Sequence, residues 1–248
     1  MRVAVVGATG QIGAYAVAAL ERSGHDVVRI SRATGVDVQT GVGLDEALAG
    51  ADAVIDATNN RSQDEAELIE FFRATSRNLL AAEEQAGVRH HVLLSVVGLD
   101  NGQRVPHYAG KREQERLVTA GSIPWSIVRA TQFHELAARF ARAAEHDGVA
   151  PIAPLLVQPI APSDVGELLA EIATGDPLNA KMDIAGPETQ DFVDMARRTF
   201  AARGQDVKLV PTWRGTFDTS MAGEVLLPGA NARIAPTTFE DWLAAGAQ

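Results

Sequence analysis

Cysteine is missing from this 248-residue chain. Its absence excludes disulfides, thiol catalysis and cysteine-ligated metal sites. An excess of positive charge is missing too, since the formal net charge is -10. A surface of that sign does not bind nucleic acid directly, because such binding depends on Lys and Arg neutralising phosphates. No stretch offers the ~18 uninterrupted apolar residues of a membrane span. The run from Arg2 to Leu20 comes nearest to a leader, but Gly7, Thr9, Gly10, Gln11 and Gly13 interrupt it. No internal repeat, linker or low-complexity tract stands out. These absences lead to an expectation of a cytoplasmic protein with no membrane attachment and no metal. What is present is ordinary for a globular chain: 46% hydrophobic and 22% charged residues. The length suits one large α/β domain, or one domain with a smaller lobe.

The stretch that organises the rest lies at the start. Val3-Ala4-Val5-Val6 is a short apolar strand, suited to the middle of a parallel sheet. Gly7-Ala8-Thr9-Gly10-Gln11-Ile12-Gly13 then turns the chain into an alanine-rich helix. A second strand follows through Asp26-Val27-Val28-Arg29-Ile30-Ser31. The glycines stand where a dinucleotide needs them. Gly7 allows the sharp turn, Gly10 lets backbone approach a pyrophosphate, and Gly13 lets the helix sit close to the sheet. The diphosphate would lie at the helix N-terminus, against free N–H groups and the positive end of the dipole.

One further absence concerns the cofactor. An NAD site usually puts Asp or Glu at the end of the second strand, to hold the ribose 2′-hydroxyl. Here Ser31-Arg32 stands in that place. A hydroxyl and a guanidinium suit a 2′-phosphate, because Arg binds phosphate with a fork of donors. The expected cofactor is therefore NADP(H).

The chain continues as alternating strands and helices. Residues 43–48 read as a short helix and residues 51–56 as the third strand, running into Thr58-Asn59. Small polar residues at a strand's carboxyl end let a ribose approach, although Asn59 fits a helix or turn cap equally well. Residues 64–85 form a long helix, and residues 91–97 the fourth strand, carrying Ser95 and Val96 near its end. His90 and His91 point to opposite faces and lack metal-ligand spacing, so they read as structural. After a polar loop over residues 98–105, Pro106-His107-Tyr108-Ala109-Gly110-Lys111 opens a helix that continues to Ala120. His107 and Tyr108 both lie on the Lys111 side of it. Lys111 could hold the nicotinamide ribose and lower a neighbouring hydroxyl's pKa, or be a solvated lysine on a helix of mixed charge.

Residues 125–129 are the fifth strand, followed by Thr131, Gln132, Phe133 and His134 and a helix over residues 135–146. Phe133 and His134 sit where a nicotinamide or substrate could touch them, and a lone His there is more often structural. Residues 148–162 are apolar and proline-rich. Ser163-Asp164 is expected to cap a helix ending near Thr174. Residues 182–185 and 207–211 read as strands with a helix over residues 191–203 between them. Residues 212–236 form an apolar loop region, either a pocket roof or packing, before a closing helix over residues 237–243. The expected division is a dinucleotide-binding core over residues 1–150, with residues 151–248 completing the sheet and forming a substrate lobe.

Several of these stretches together resemble the atypical short-chain dehydrogenase/reductases of the NmrA-like, NAD(P)H-binding type. They are Val5-Val6-Gly7-Ala8-Thr9-Gly10-Gln11-Ile12-Gly13, Leu94-Ser95-Val96-Val97-Gly98, Val128-Arg129-Ala130-Thr131-Gln132-Phe133, Val157-Gln158-Pro159-Ile160-Ala161, Asp183-Ile184-Ala185-Gly186-Pro187-Glu188 and Thr238-Phe239-Glu240-Asp241-Trp242-Leu243. The resemblance implies a Rossmann-type α/β fold, a doubly wound parallel sheet with a smaller C-terminal substrate lobe. It also implies NADP(H) held by Gly7, Thr9, Gly10, Gln11, Ile12, Gly13 and Arg32. Ser31, Thr58, Asn59, Ser95, Val96, Lys111, Thr131 and Phe133 complete the expected cofactor site. Reductases of this superfamily usually carry Tyr-x-x-x-Lys with an upstream Ser. Here His107 stands four before Lys111 and Tyr108 only three before it. The candidate catalytic set is thus Ser95, His107, Tyr108 and Lys111. The family also contains members that bind the cofactor yet serve as regulators. Two functions follow: an NADPH-dependent reductase of a small carbonyl, quinone, imine or activated alkene, or a non-catalytic NADP(H) sensor. The expected partners are a small-molecule substrate and, for the sensor, another protein; a homodimer fits either.

Overall fold

A computed structural model describes residues 1–101, 105–215 and 217–246. In chain order it begins β1 (Arg2–Val6), α1 (Gln11–Arg22), β2 (Asp26–Ile30), α2 (Leu44–Leu48), β3 (Ala53–Asp56) and α3 (Glu65–Ala86). Then come β4 (His90–Val96), α4 (Pro106–Ala120), β5 (Trp125–Ala130), α5 (Leu136–Ala144), β6 (Val149–Ile152) and β7 (Leu156–Val157). The chain closes with α6 (Pro162–Ala173), β8 (Lys181–Ala185), β9 (Gln190–Asp191), α7 (Phe192–Ala202), β10 (Lys208–Pro211), β11 (Arg233–Ile234) and α8 (Phe239–Ala244). Seven strands make one sheet in the order β11-β8-β5-β4-β3-β1-β2. The β2–β1, β1–β3, β3–β4 and β8–β11 pairs are parallel. The fold is the expected Rossmann-type α/β class. β1 lies between β2 and β3, so the strand order reverses at its carboxyl end. That reversal opens the crevice where such sheets bind ligands.

The chain divides into two compact units, each assembled from several stretches. The first comprises Met1–Val96, Pro106–Arg129 and Val165–Met182. The second comprises Val97–Val105, Ala130–Asp164 and Asp183–Gln248. The units interleave along the chain, so neither has an edge at residue 150.

In the first unit β1 is central because it can be: Val3, Ala4, Val5 and Val6 are all buried, and none carries a polar side chain. Ala4, Val6, Ile30, Leu44, Leu48, Val54, Leu79 and Val88 pack as one apolar cluster. α3 is amphipathic, with Leu68, Phe72, Leu79 and Ala82 inward. Asp64 caps it by accepting from the Glu67 N–H, and Gly87, at φ +73°, ends it. α6 packs closely on α1, since a Cβ on Gly166 would stand 2.3 Å from the Tyr15 Cβ. His90 and His91 are structural, as expected. His90 Nε2 meets Ser126 Oγ at 2.8 Å, and His91 Nδ1 meets the buried Glu83 carboxylate at 2.9 Å. Among the described residues no three His, Asp or Glu side chains group where they could hold a metal. None of their helices is long and apolar enough to cross a membrane.

Several expectations need correction. The apolar stretch over residues 148–162 contains β6 and β7, strands too short for alternation to show. Ser163-Asp164 caps nothing. α6 already begins at Pro162, whose fixed φ and missing N–H suit a first helical position. Asp164 instead accepts from the Thr237 N–H at 3.0 Å and the Thr237 hydroxyl at 2.8 Å, within the second unit. Residues 212–236 are more than loop, because β11 pairs there with β8. Packing accounts for their apolar residues: Phe217 lies 5.1 Å from the Phe140 ring, and Met221 and Leu226 are buried. Thr216, in that stretch, and residues 102–104 of the expected polar loop lie outside the described residues.

Candidate dinucleotide site

The glycine turn is built by close backbone contact. Gly7 has φ +76°, and a Cβ there would stand 2.8 Å from the Ala57 carbonyl oxygen. A Cβ on Gly13 would stand 2.2 Å from the Gly7 carbonyl oxygen, closer than real atoms come. Gly10 differs: its Cβ position meets only the Gly7 oxygen, at 3.1 Å, and is otherwise open. So Gly7 and Gly13 are required by the turn itself, while Gly10 leaves room for something outside the protein. Gly10 is also the N-cap of α1 and brings no side-chain acceptor to the first-turn N–H groups. Those donors and the helix dipole fit a diphosphate. Thr9 and Gln11 are exposed beside the opening, and Ile12 is buried beneath it.

The end of β2 is tied to the same turn. Its Ile30 carbonyl accepts from Gly7 N–H at 3.0 Å and Ala8 N–H at 3.3 Å. Ser31 then caps a single 3-10 turn over Arg32–Thr34, with its N–H donating to Thr34 Oγ1 at 3.0 Å. Arg29 is committed to an ion pair with Glu21. Arg32 is exposed and makes no ion pair with any described residue. A free guanidinium thus stands at the strand end where a carboxylate would select NAD.

Beyond β3 and β4 the expected residues Lys111 and Ser95 turn inward. Lys111 is buried, and its Nζ donates to Gln114 Oε1 at 2.8 Å, the Leu94 carbonyl at 2.9 Å and the Thr58 carbonyl at 3.3 Å. An ammonium has three N–H donors, and all three are used. Its Nζ also lies 4.7 Å from the centre of the Phe72 ring. Burial pulls the Lys111 pKa down to about 8, against the opposing pull of Asp56 and Glu115. Gln114 continues the network by donating to Asp56 Oδ2 at 2.8 Å and Thr58 Oγ1 at 3.3 Å. Asp56 Oδ1 accepts from the Thr58 N–H at 2.9 Å.

Ser95 is expected to face the crevice. Its side chain is buried, and its hydroxyl donates to Glu115 Oε1 at 2.6 Å. Glu115 is gripped on its other sides by Arg129, at 2.8 and 2.7 Å, and Lys181, at 2.7 Å. Burial pushes the Glu115 carboxyl up. Its hydrogen bonds from Arg129, Lys181 and Ser95 outweigh that and hold it below the ordinary value. Lys111 and Ser95 are therefore corrected in their orientation: each has its polar hydrogens committed inside the first unit. Glu115 and Gln114 explain why, as they lie four and three residues after Lys111 on the same helix face. Both were missed in the sequence, along with Asp56, which closes an otherwise apolar strand. A carboxylate ending a buried strand is the signal that could have found the network.

His107 packs edge-on to Phe72 at 5.7 Å. Burial first, then the Lys111 charge, lowers its pKa to about 4, so the ring is neutral at neutral pH. Tyr108 is buried on the same helix. Val96, the last residue of β4, is half-buried. Asn59 is exposed and accepts from the Asn60 N–H, a turn contact, while Asp64 provides the cap of α3. Thr131 and Phe133 belong to the second unit. Thr131 N–H donates to the Ile184 carbonyl, and its buried hydroxyl has no partner among the described residues. Phe133 forms a parallel bridge with Ile160. His134 is structural: it is buried, 5.4 Å from the Phe239 ring and 5.6 Å from Trp242.

Residues 7–176 match the model of a family described as NAD(P)H-binding. The chain belongs to that family. The chain is similar to a (4-alkanoyl-5-oxo-2,5-dihydrofuran-3-yl)methyl phosphate reductase of Streptomyces griseus. It is 33% identical over 144 residues, covering 52% of this chain and 47% of the reductase. Photosystem II assembly factor Ycf39 of Synechocystis is 27% identical over 147 residues, covering 54% of this chain and 45% of the factor. The chain spans about half the length of these curated relatives where it matches them. Among solved structures, an NADPH-dependent quinone oxidoreductase of Escherichia coli shares the fold. Its TM-score is 0.74 at 16% identity, covering 99% of this chain and 100% of that one.

Proposed function

We propose that the protein is an NADPH-dependent reductase of a small carbonyl, quinone, imine or activated alkene. The observation that carries this reading is the pairing of an open glycine cradle at Gly10 with the free Arg32 guanidinium at the end of β2. Gly7, Thr9, Gly10, Gln11, Ile12 and Gly13 would hold the diphosphate, and Ser31 with Arg32 the 2′-phosphate. Thr58, Asn59 and Val96 are the further cofactor contacts that the first unit offers in this reading, Thr131 and Phe133 are those expected of the second, and residues 151–248 complete the sheet and form the substrate lobe. When bound, NADPH supplies the hydride. The protein's part is to orient the substrate, exclude water and deliver one proton to the reduced group. Ser95 and Lys111 have their hydrogens committed elsewhere; in this reading Tyr108 delivers the proton, with His107 its neighbour.

Loss of NADPH absorbance against a panel of quinones, ketones and enones tests the reading. Turnover above solvent background with at least one of them is expected, and none with any would overturn it. Tyr108→Phe should lower turnover by roughly 10²- to 10⁴-fold, the usual contribution of a positioned proton donor, with little change in NADPH affinity. His107→Gln is the matched control and should keep most of the turnover, since a neutral imidazole with a pKa of about 4 is rarely charged at neutral pH. Full turnover in Tyr108→Phe would remove that residue from the chemistry.

A second reading is a redox sensor that acts through a protein partner. The inward-facing Ser95 and Lys111 favour it, because the usual relay is not assembled. It requires different affinities for NADPH and NADP+, since equal affinity shifts no equilibrium. Titration calorimetry with each form separates the two readings.

A further inference from the structure

We infer that Lys111, Gln114 and Asp56 form a positioning network that holds the backbone of Ala57 and Thr58 against the glycine turn and so sets affinity for the adenosine-diphosphate half of the cofactor, without touching it. The inference rests on the dinucleotide reading above and concerns what Lys111 does within it.

The Thr58 backbone is clamped on both sides of its Cα. Its N–H donates to Asp56 Oδ1 at 2.9 Å, and its carbonyl accepts from Lys111 Nζ at 3.3 Å. Gln114 joins the two clamps, accepting from Lys111 at 2.8 Å and donating to Asp56 at 2.8 Å. Lys111 also holds the Leu94 carbonyl at 2.9 Å, which ties the end of β4 to the segment after β3. That segment is the wall on which the glycine turn rests. Ala57 N–H donates to the Val6 carbonyl at 3.1 Å, and the Ala57 carbonyl sits 2.8 Å from the Cβ position of Gly7. A shift of Thr58 therefore moves Ala57, and Ala57 cannot move without Gly7. Lys111 and Gln114 are nearly inaccessible, and so is Asp56, so none of the three is presented to a ligand. A buried network of this kind fixes one geometry only while every donor and acceptor is satisfied.

The number of donors on Lys111 makes the device sensitive to protonation. The ammonium serves three acceptors, whereas the neutral amine has two N–H groups and leaves one acceptor unpaired. The charged and titratable groups facing Lys111 are Asp56 from β3 and His107 and Glu115 from α4. From α3 it meets the Phe72 ring and from β4 the Leu94 carbonyl. His107, at about 4, is neutral above pH 7, and Glu115, held below its ordinary value, is charged there. Lys111, at about 8, changes charge between pH 7 and 9.

The test is titration calorimetry of the full chain with NADPH and with 2′-phospho-ADP, which lacks the nicotinamide and its ribose. Lys111→Met should weaken both ligands by the same factor, about tenfold, the scale of one hydrogen bond to a charged group. Gln114→Asn, which draws the amide back by one methylene, should do the same, and it carries the test if Lys111→Met does not fold. The double variant should be no weaker than the worse single one, because the residues act as a unit. In the parent, affinity for 2′-phospho-ADP should fall between pH 7 and 9, and in Lys111→Met that slope should vanish. Weakening of NADPH alone would mean that Lys111 holds the nicotinamide ribose directly, and the inference would fail. Unchanged affinities beside a lowered melting temperature would reduce the network to packing and overturn it as well. If the parent binds neither ligand, the dinucleotide reading itself fails and this inference with it; binding by the parent with unaffected variants defeats only the inference.

Discussion

Gly13→Ala should lower both the melting temperature and cofactor affinity, whereas Gly10→Ala should lower affinity alone. At Gly13 the new Cβ would stand 2.2 Å from the Gly7 carbonyl oxygen and 2.7 Å from its carbon. Both are backbone atoms, so no side chain can swing aside. The turn or the first coil of α1 has to open. Overpacking of this sort costs about 1–3 kcal/mol. For a chain of this size that lowers Tm by roughly 2–12 °C. The opened turn also pulls the first-turn N–H groups away from a diphosphate. At Gly10 the Cβ would meet only the Gly7 oxygen, at 3.1 Å, so a shift of a few tenths of an ångström accommodates it. Its methyl would instead stand in the open approach to the helix N-terminus. NADPH affinity should fall roughly tenfold or more, the factor that corresponds to about 1.4 kcal/mol. Differential scanning calorimetry and titration calorimetry on the two variants separate these effects. If Gly10→Ala binds NADPH as tightly as the parent, the turn does not carry the diphosphate.

Arg32→Ala should collapse the preference for NADPH over NADH. The guanidinium is exposed, makes no ion pair with a described residue, and follows directly on Ser31 at the end of β2. A hydrogen bond to a charged group contributes about 1.5–3 kcal/mol. At about 1.4 kcal/mol per tenfold, its loss weakens NADPH binding by roughly 10- to 150-fold. NADH lacks the 2′-phosphate, so its affinity should hardly move. Added salt should shrink the preference in the parent too, because an exposed pair is screened over a Debye length of ~10 Å at 0.1 M. Dissociation constants for both cofactors, at low and high salt, supply the check. A parent that prefers NADH, or a variant that loses both cofactors equally, would remove the 2′-phosphate from this strand end.

Much of the fold was legible in the sequence because its signals are local. The apolar β1, the three spaced glycines and the amphipathic α3 each announce themselves within a few residues. The caps at Asp64, Asp191 and Thr238 mark where helices begin by bonding to N–H groups three residues on. Elements with weak local signals were harder. β7, β9 and β11 are two residues long and exist through their partners. α6 begins at Pro162 rather than after Asp164, because the aspartate found a better partner in Thr237, far away in the chain. The interleaving of the two units was also invisible, since it depends on which distant stretches pack together.

The candidate site divides along the same line. Sequence alone picked out the glycine turn proposed to cradle the dinucleotide, because Gly7 and Gly13 answer backbone requirements that no other residue meets. It also determined the missing carboxylate after β2, since that is a matter of which residue occupies one strand end. It likewise picked out Ser95, His107, Tyr108 and Lys111 as candidates by their chemistry. Only the tertiary structure decided which way they turn. Ser95 is drawn to Glu115, and Lys111 to the carbonyls of Leu94 and Thr58, by partners supplied from α4, β4 and the segment after β3. A buried hydroxyl or ammonium costs free energy until it is paired. The pairing that satisfies it depends on what the fold brings within about 3 Å. No periodicity along the chain encodes that distance, so the orientation of the polar groups was settled by packing.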